Sequence, residues 1–130
     1  LGIMHDTTEI ITGDLPTPIK YYAPEIRDAY KKVENVAACQ LISELPEEMQ
    51  NAYEDILIEN DDINWKYVKA ADKMSAYIKC IEERNTGNTD FAKAEETIKK
   101  ALDEMHMEEI EKFIEMFLPA YTKTLDEISK

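Results

Sequence analysis

Asp62-Ile63-Asn64-Trp65-Lys66-Tyr67-Val68-Lys69-Ala70-Ala71-Asp72-Lys73-Met74-Ser75-Ala76-Tyr77-Ile78-Lys79-Cys80-Ile81 is the stretch that decides the fold class. Trp65, Val68, Ala71, Ser75, Ile78 and Ile81 recur every three or four residues, the period of one face of an α-helix. Asp62 offers a capping carboxylate ahead of them, and Thr86-Gly87-Asn88 marks the stop. Working outward, the same period returns on both sides. Pro24 opens a helix with Ile26, Tyr30, Val33, Ala37 and Leu41 on one face, ending near Leu45. Pro46 starts a short helix striped by Met49, Tyr53 and Ile56 or Leu57. Phe91, Ala94, Ile98, Leu102 and Met105 mark a further helix, whose continuation carries Ile110, Phe113, Ile114 and Phe117. Pro119 breaks or kinks it before a last turn near Leu125 and Ile128. Leu1 to about Ile10 reads as the end of a helix, and Ile11 to Pro18 as a loop. With three Gly, five Pro and no sustained alternation, there is no pattern for a sheet, and the expected class is all-α.

Length and charge bound the function. A chain of 130 residues reads as a single domain, 1–130, able to bury a core without disulfides or a structural metal. Acidic residues number 28 against 15 basic ones, a net charge of −13, which repels the backbone of polymeric nucleic acid and anionic membranes. No stretch is long and apolar enough to span a bilayer. Cys39 and Cys80 form no C-x-x-C and stand inside helical patterns, so both read as buried thiols of a cytoplasmic protein. No internal repeat and no linker interrupts the chain.

The chemistry concentrates in Met4-His5-Asp6-Thr7-Thr8-Glu9 and the following Gly13-Asp14-Leu15-Pro16-Thr17-Pro18. On a helix His5 and Glu9 share a face, and Asp6 and Glu9 nearly do. His5 and Asp6 can then reach one cation, with Glu9 over its open side. Mixed imidazole and carboxylate ligation suits Mn, Fe, Co, Ni or Zn better than Ca or Mg. A metal so held lowers the pKa of a bound water, and Glu9 is placed to move a proton. Two protein ligands are too few for a hydrolytic centre. His106, in the charge-rich Glu104-Met105-His106-Met107-Glu108, reads as a surface residue. Asp72 lies among the small residues Ala71, Ser75 and Ala76, where a ligand or a second helix can approach; pairing with Lys69 or Lys73 explains it equally well. Asp14 fits an ordinary turn as well as a binding role. Thr17, between two prolines, offers a hydroxyl and an amide to a phosphate or sugar.

Together these segments are more specific than any of them alone. Met4 to Tyr21, with its His-Asp pair and Gly-Asp-Leu-Pro-Thr-Pro loop, resembles the signature of the bacterial 5'-deoxynucleotidases of the HD-domain phosphohydrolase superfamily. Ala70 to Glu83 and the terminal Phe117-Leu118-Pro119-Ala120-Tyr121 with Leu125-Asp126-Glu127-Ile128-Ser129 resemble it too, in the same order. The likeness implies an all-α HD-domain helical bundle that binds one divalent transition metal (Co, Mn, Zn, Fe or Ni) and removes the 5'-phosphate from nucleoside monophosphates, as a homodimer. By position, His5 and Asp6 become the paired ligands and Asp72 the distal carboxylate ligand. Glu9 becomes the acid/base partner, and Asp14, Leu15, Pro16 and Thr17 line the nucleotide pocket. The family pattern also carries, in a preceding helical region, another metal-binding His and a phosphate-orienting Arg, which this sequence does not hold. The expected chain is therefore an N-terminally incomplete HD domain.

Two other readings compete. An HD phosphodiesterase acting on a signalling nucleotide often uses two metals and more His ligands, whereas only two His occur here. An acidic helical interaction module without chemistry accounts for the helices and the charge, but leaves the ordered motifs to chance.

Overall fold

The structure is a computed structural model of the chain; it describes residues 1–16, 23–123 and 127. Six α-helices follow in order: α1, Glu9–Thr12; α2, Pro24–Ser43; α3, Glu47–Leu57; α4, Ile63–Asn85; α5, Ala92–Glu104; and α6, Glu108–Tyr121. No strand occurs among the described residues, as the three- and four-residue spacing requires. The chain divides into two compact units, Leu1–Val68 and Lys69–Lys130.

In the first unit, α2 packs against both α1 and α3. Pro24 stands at the first turn of α2, where its missing N–H costs nothing and its fixed φ suits the helix. Ala37 and Ala38 are its fully buried positions, small enough to let a neighbouring backbone come close. The expected face is only partly inward: Tyr30 and Leu41 are half-buried, while Ile26 and Val33 are exposed. Past α3, Trp65 is buried and its indole N–H donates to the Asp55 carbonyl at 3.3 Å. Indole is apolar except at that N–H, so this one bond lets the ring be buried without a stranded donor.

The second unit is built on Ala70, Met74, Tyr77 and Ile81 of α4, Leu102 of α5, and Ile110 and Leu118 of α6. Ile78, Ile98, Met105, Met107, Phe113 and Ile114 pack around them. The inward stripe of α4 is thus turned by one position from the expected one: Ala71 and Ser75 face outward. Met74 and Tyr77 carry far more apolar area than Ala71 and Ser75, so burying them dominates the choice of face.

Two helix ends here have distinct causes. Gly87 closes α4 in the left-handed region at φ 87°. Its N–H bonds the Arg84 carbonyl, and the Asn88 N–H reaches back to the Glu83 carbonyl, the six-to-one bond of a Schellman cap. The Asn88 side chain first, and Lys79 second, bond the Glu83 carboxyl and hold it below the usual carboxylate range. The α5–α6 boundary lacks any such residue. His106 itself takes φ 49°, so the expected single continuing helix is broken at Met105-His106-Met107. At Pro119 the helix carries on to Tyr121 without a break. Phe117, expected inside, is half exposed, its ring tilted by 41° and centred 5.1 Å from that of Phe113. The expected last turn at Leu125 and Ile128 lies outside the described residues.

Cys80 is buried and Cys39 is exposed, which corrects the expectation of two buried thiols. Burial, with Glu95 and Glu83 adding their negative charge, pushes the Cys80 thiol up. It therefore stays protonated and unreactive further into alkaline pH than a free thiol. Iodoacetamide at neutral pH is expected to modify Cys39 in the folded protein and to reach Cys80 only after denaturation, as peptide mass spectrometry will show.

Candidate active site

His5 and Asp6 lie in the first unit, on the approach to α1. Residues 2–8 form successive tight turns and not the expected end of an α-helix. The amides of Met4, Thr7, Glu9 and Ile10 each bond the carbonyl three residues back, at 2.8–3.2 Å. The shared α-helical face expected of His5 and Glu9 is therefore not formed by this stretch.

The His5 contacts define its proton. Its Nδ1 lies 2.8 Å from the Gly2 carbonyl oxygen, which can only accept, so Nδ1 carries the hydrogen. Nε2 stands 3.1 Å from Asp6 Oδ2. It is also buried, and among the described residues it makes no hydrogen bond. An imidazole nitrogen and a carboxylate oxygen face each other across a gap that a proton or a cation bridges. Two donors on one transition metal at bond lengths of about 2.1 Å stand about 3 Å apart when adjacent, so the pair has the bite of a chelate. A backbone carbonyl fixing the far imidazole nitrogen is the usual way a ligating His is oriented. The donor set therefore fits a divalent transition metal. His5 is largely covered and Asp6 is open, at 27% and 60% side-chain exposure, so one side of the pair faces solvent.

Among the described residues no third His, Cys, Asp or Glu gathers with this pair. Asp72 is in the second unit, exposed among Ala71, Ser75 and Ala76. His106 is exposed as well, as expected of a surface residue. Glu9 opens α1 and is half-buried.

Gly13 ends α1 at φ 70° and ψ 161°. This region is open to glycine and essentially closed to residues with a Cβ. The chain turns there into Asp14, Leu15 and Pro16; Asp14 and Pro16 are exposed and Leu15 is half-buried. Tyr30, which the sequence offered only as an apolar position of α2, donates its phenol to the Gly13 carbonyl at 3.0 Å. Thr17 lies outside the described residues. A cleft of about 620 Å³ near the α3–α4 junction is lined by Asp55, Asp61, Asp62 and Trp65 among others. It contains none of the expected site residues, and its carboxylates repel a phosphate.

Residues 1–121 match the YfbR-like 5'-deoxynucleotidase family model. The chain belongs to that family. A 5'-deoxynucleotidase of Photobacterium profundum is 47% identical over 99% of this chain and 68% of its own length. The Vibrio cholerae 5'-deoxynucleotidase is 46% identical over 99% and 68%, and that of Erwinia tasmaniensis 41% over 100% and 67%. The chain thus spans about two thirds of the length of these family members. Their names describe phosphomonoester hydrolases, the class that the His5-Asp6 and Gly13-Asp14 segments resemble. No helix among the described residues is long and apolar enough to cross a membrane.

Proposed function

We propose that this chain carries the His-Asp pair, proton-transfer group and nucleotide loop of a metal-dependent hydrolase that releases the 5'-phosphate of deoxyribonucleoside monophosphates. The observation that supports it most is the buried Nε2 of His5 set 3.1 Å from the Asp6 carboxylate, in a family whose members are named for that reaction.

When bound, a divalent transition metal lowers the pKa of water and offsets phosphate charge. His5 and Asp6 would hold it, with the Gly2 carbonyl accepting from Nδ1 and so orienting the ring with Nε2 toward the metal. The family likeness gives Asp72 the part of a further carboxylate donor. Glu9 takes the proton of the attacking water on its carboxylate and returns it to the departing sugar oxygen. Asp14 accepts a hydrogen bond from the sugar, and Leu15, Pro16 and Thr17 line the nucleotide. With a net charge of −13, the chain repels a phosphate dianion unless a cation offsets it locally. That ties substrate binding to metal loading. The domain is read as one HD-type bundle acting as a homodimer in the cytoplasm.

Phosphate release from a panel of nucleotides, with Mn or Co added to chelator-stripped protein, tests the reading. The expected result is metal-dependent release from deoxynucleoside 5'-monophosphates and none from cyclic or other phosphodiesters. Release from phosphodiesters alone would favour an HD phosphodiesterase; no release with any metal would sink the proposal.

A further inference from the structure

Gly13 and Tyr30 stand 17 residues apart in sequence and meet at one hydrogen bond. We infer that Tyr30 is a positioning residue for substrate binding: its phenol sets the direction in which the Asp14–Pro16 segment leaves α1. The inference rests on the reading of that segment as the nucleotide loop.

Gly13 holds φ 70° and ψ 161°, and a Cβ built there would meet nothing within 4 Å. The glycine is thus required by torsion and not by crowding. Its freedom is also a weakness, since glycine loses more conformational entropy on ordering than any other residue. Something must hold the chosen torsion, and the carbonyl of the same residue is where the protein takes hold. Tyr30 Oη and Thr12 Oγ1 each donate to it at 3.0 Å, filling both of its lone-pair positions. The two hydroxyls also touch each other at 3.4 Å.

These two donors differ in what they fix. Thr12 is the neighbour of Gly13 and also contacts the Thr8 carbonyl at 3.4 Å, so it reports only the local end of α1. Tyr30 lies on the 20-residue α2, which packs along α1. Its ring is half-buried, and an aromatic side chain has only two torsions to restrain. Tyr30 therefore references the carbonyl to a rigid body outside the loop. Asp14 follows directly. A rotation of the Gly13 peptide carries the Asp14 Cα with it and misaims its carboxylate, even though Tyr30 touches no substrate.

Tyr30→Phe keeps the ring and its packing and removes only the donor. In the full chain, the variant is expected to speed amide exchange in the peptide spanning residues 9–16 by about tenfold, with α4 to α6 unchanged. Its KM for a deoxynucleoside 5'-monophosphate is expected to rise about fivefold, with kcat within about twofold of the parent and unchanged metal affinity. A purely structural tyrosine would instead lower the melting temperature and the active fraction without that split. Unaltered exchange at residues 9–16, or a fall in kcat at constant KM, would overturn the inference. Faster exchange in a protein whose parent form hydrolyses no nucleotide would keep the clamp on Gly13 and overturn its link to substrate.

Discussion

Asp6→Ala is expected to lower kcat/KM for deoxynucleoside 5'-monophosphates by at least about a thousandfold, roughly 4 kcal/mol of transition-state stabilisation. The size follows from the shape of the pair. His5 Nδ1 is held by the Gly2 carbonyl, and its buried Nε2 faces the Asp6 carboxylate at 3.1 Å. Without the carboxylate, a cation there loses one donor and a negative charge that helps repay its dehydration. Asp6→Asn keeps the volume and removes the charge, and it is expected to fall nearly as far. If charge and not shape is the cause, the two variants fail together and raised metal concentration restores part of the activity. His106→Asn is the matched control. His106 is exposed and at φ 49°, a conformation that asparagine tolerates, so its loss leaves the rate unchanged. Parental rates in Asp6→Ala would remove the pair from the mechanism.

The largest effect on stability is expected at Leu102→Ala. Leu102 is 1% exposed and sits with Ile81, also 1% exposed, at the centre of the second unit. Truncation removes the transfer energy of the lost carbons and leaves a hollow that Ile81, Ile110 and Leu118 cannot fill without moving. A cost of about 3 kcal/mol follows. For a chain of this size that amounts to a fall of roughly 10 °C in the unfolding midpoint. Ile3→Ala, an equal or greater apolar loss at a residue 98% exposed, is expected to stay within about 0.5 kcal/mol. Equal losses at the two sites, measured by urea denaturation, would contradict the core described here.

The difference between those two positions also shows what the sequence could reveal. Spacing located all the long helices, because burial of an apolar stripe imposes its period whatever the partner. It did not fix the phase on α4. Ala71 and Ser75 match the helical period as well as Ala70 and Met74 do, and only packing against Leu102, Ile110 and Leu118 decides between them. The break at His106 was hidden for a different reason. Neither glycine nor proline marks it, and the left-handed torsion is held by the helices on each side of it. At the site, His5 and Asp6 were legible as adjacent donors. Their relation to Glu9 was not, since tight turns replace the α-helical rise on which a shared face depends. Tyr30 looked like one more apolar position on α2; its bond to Gly13 is a tertiary event with no local signature.

The central claim is that the His5–Asp6 gap is a metal-binding pair. Anomalous scattering from crystals of the full chain grown with Mn or Co tests it most directly. The expected result is a peak bonded to both His5 Nε2 and Asp6 Oδ2, each at about 2.1 Å, with His5 Nδ1 still on the Gly2 carbonyl. A metal bound elsewhere, or a clear map with the two side chains joined by a hydrogen bond and no peak between them, would contradict it.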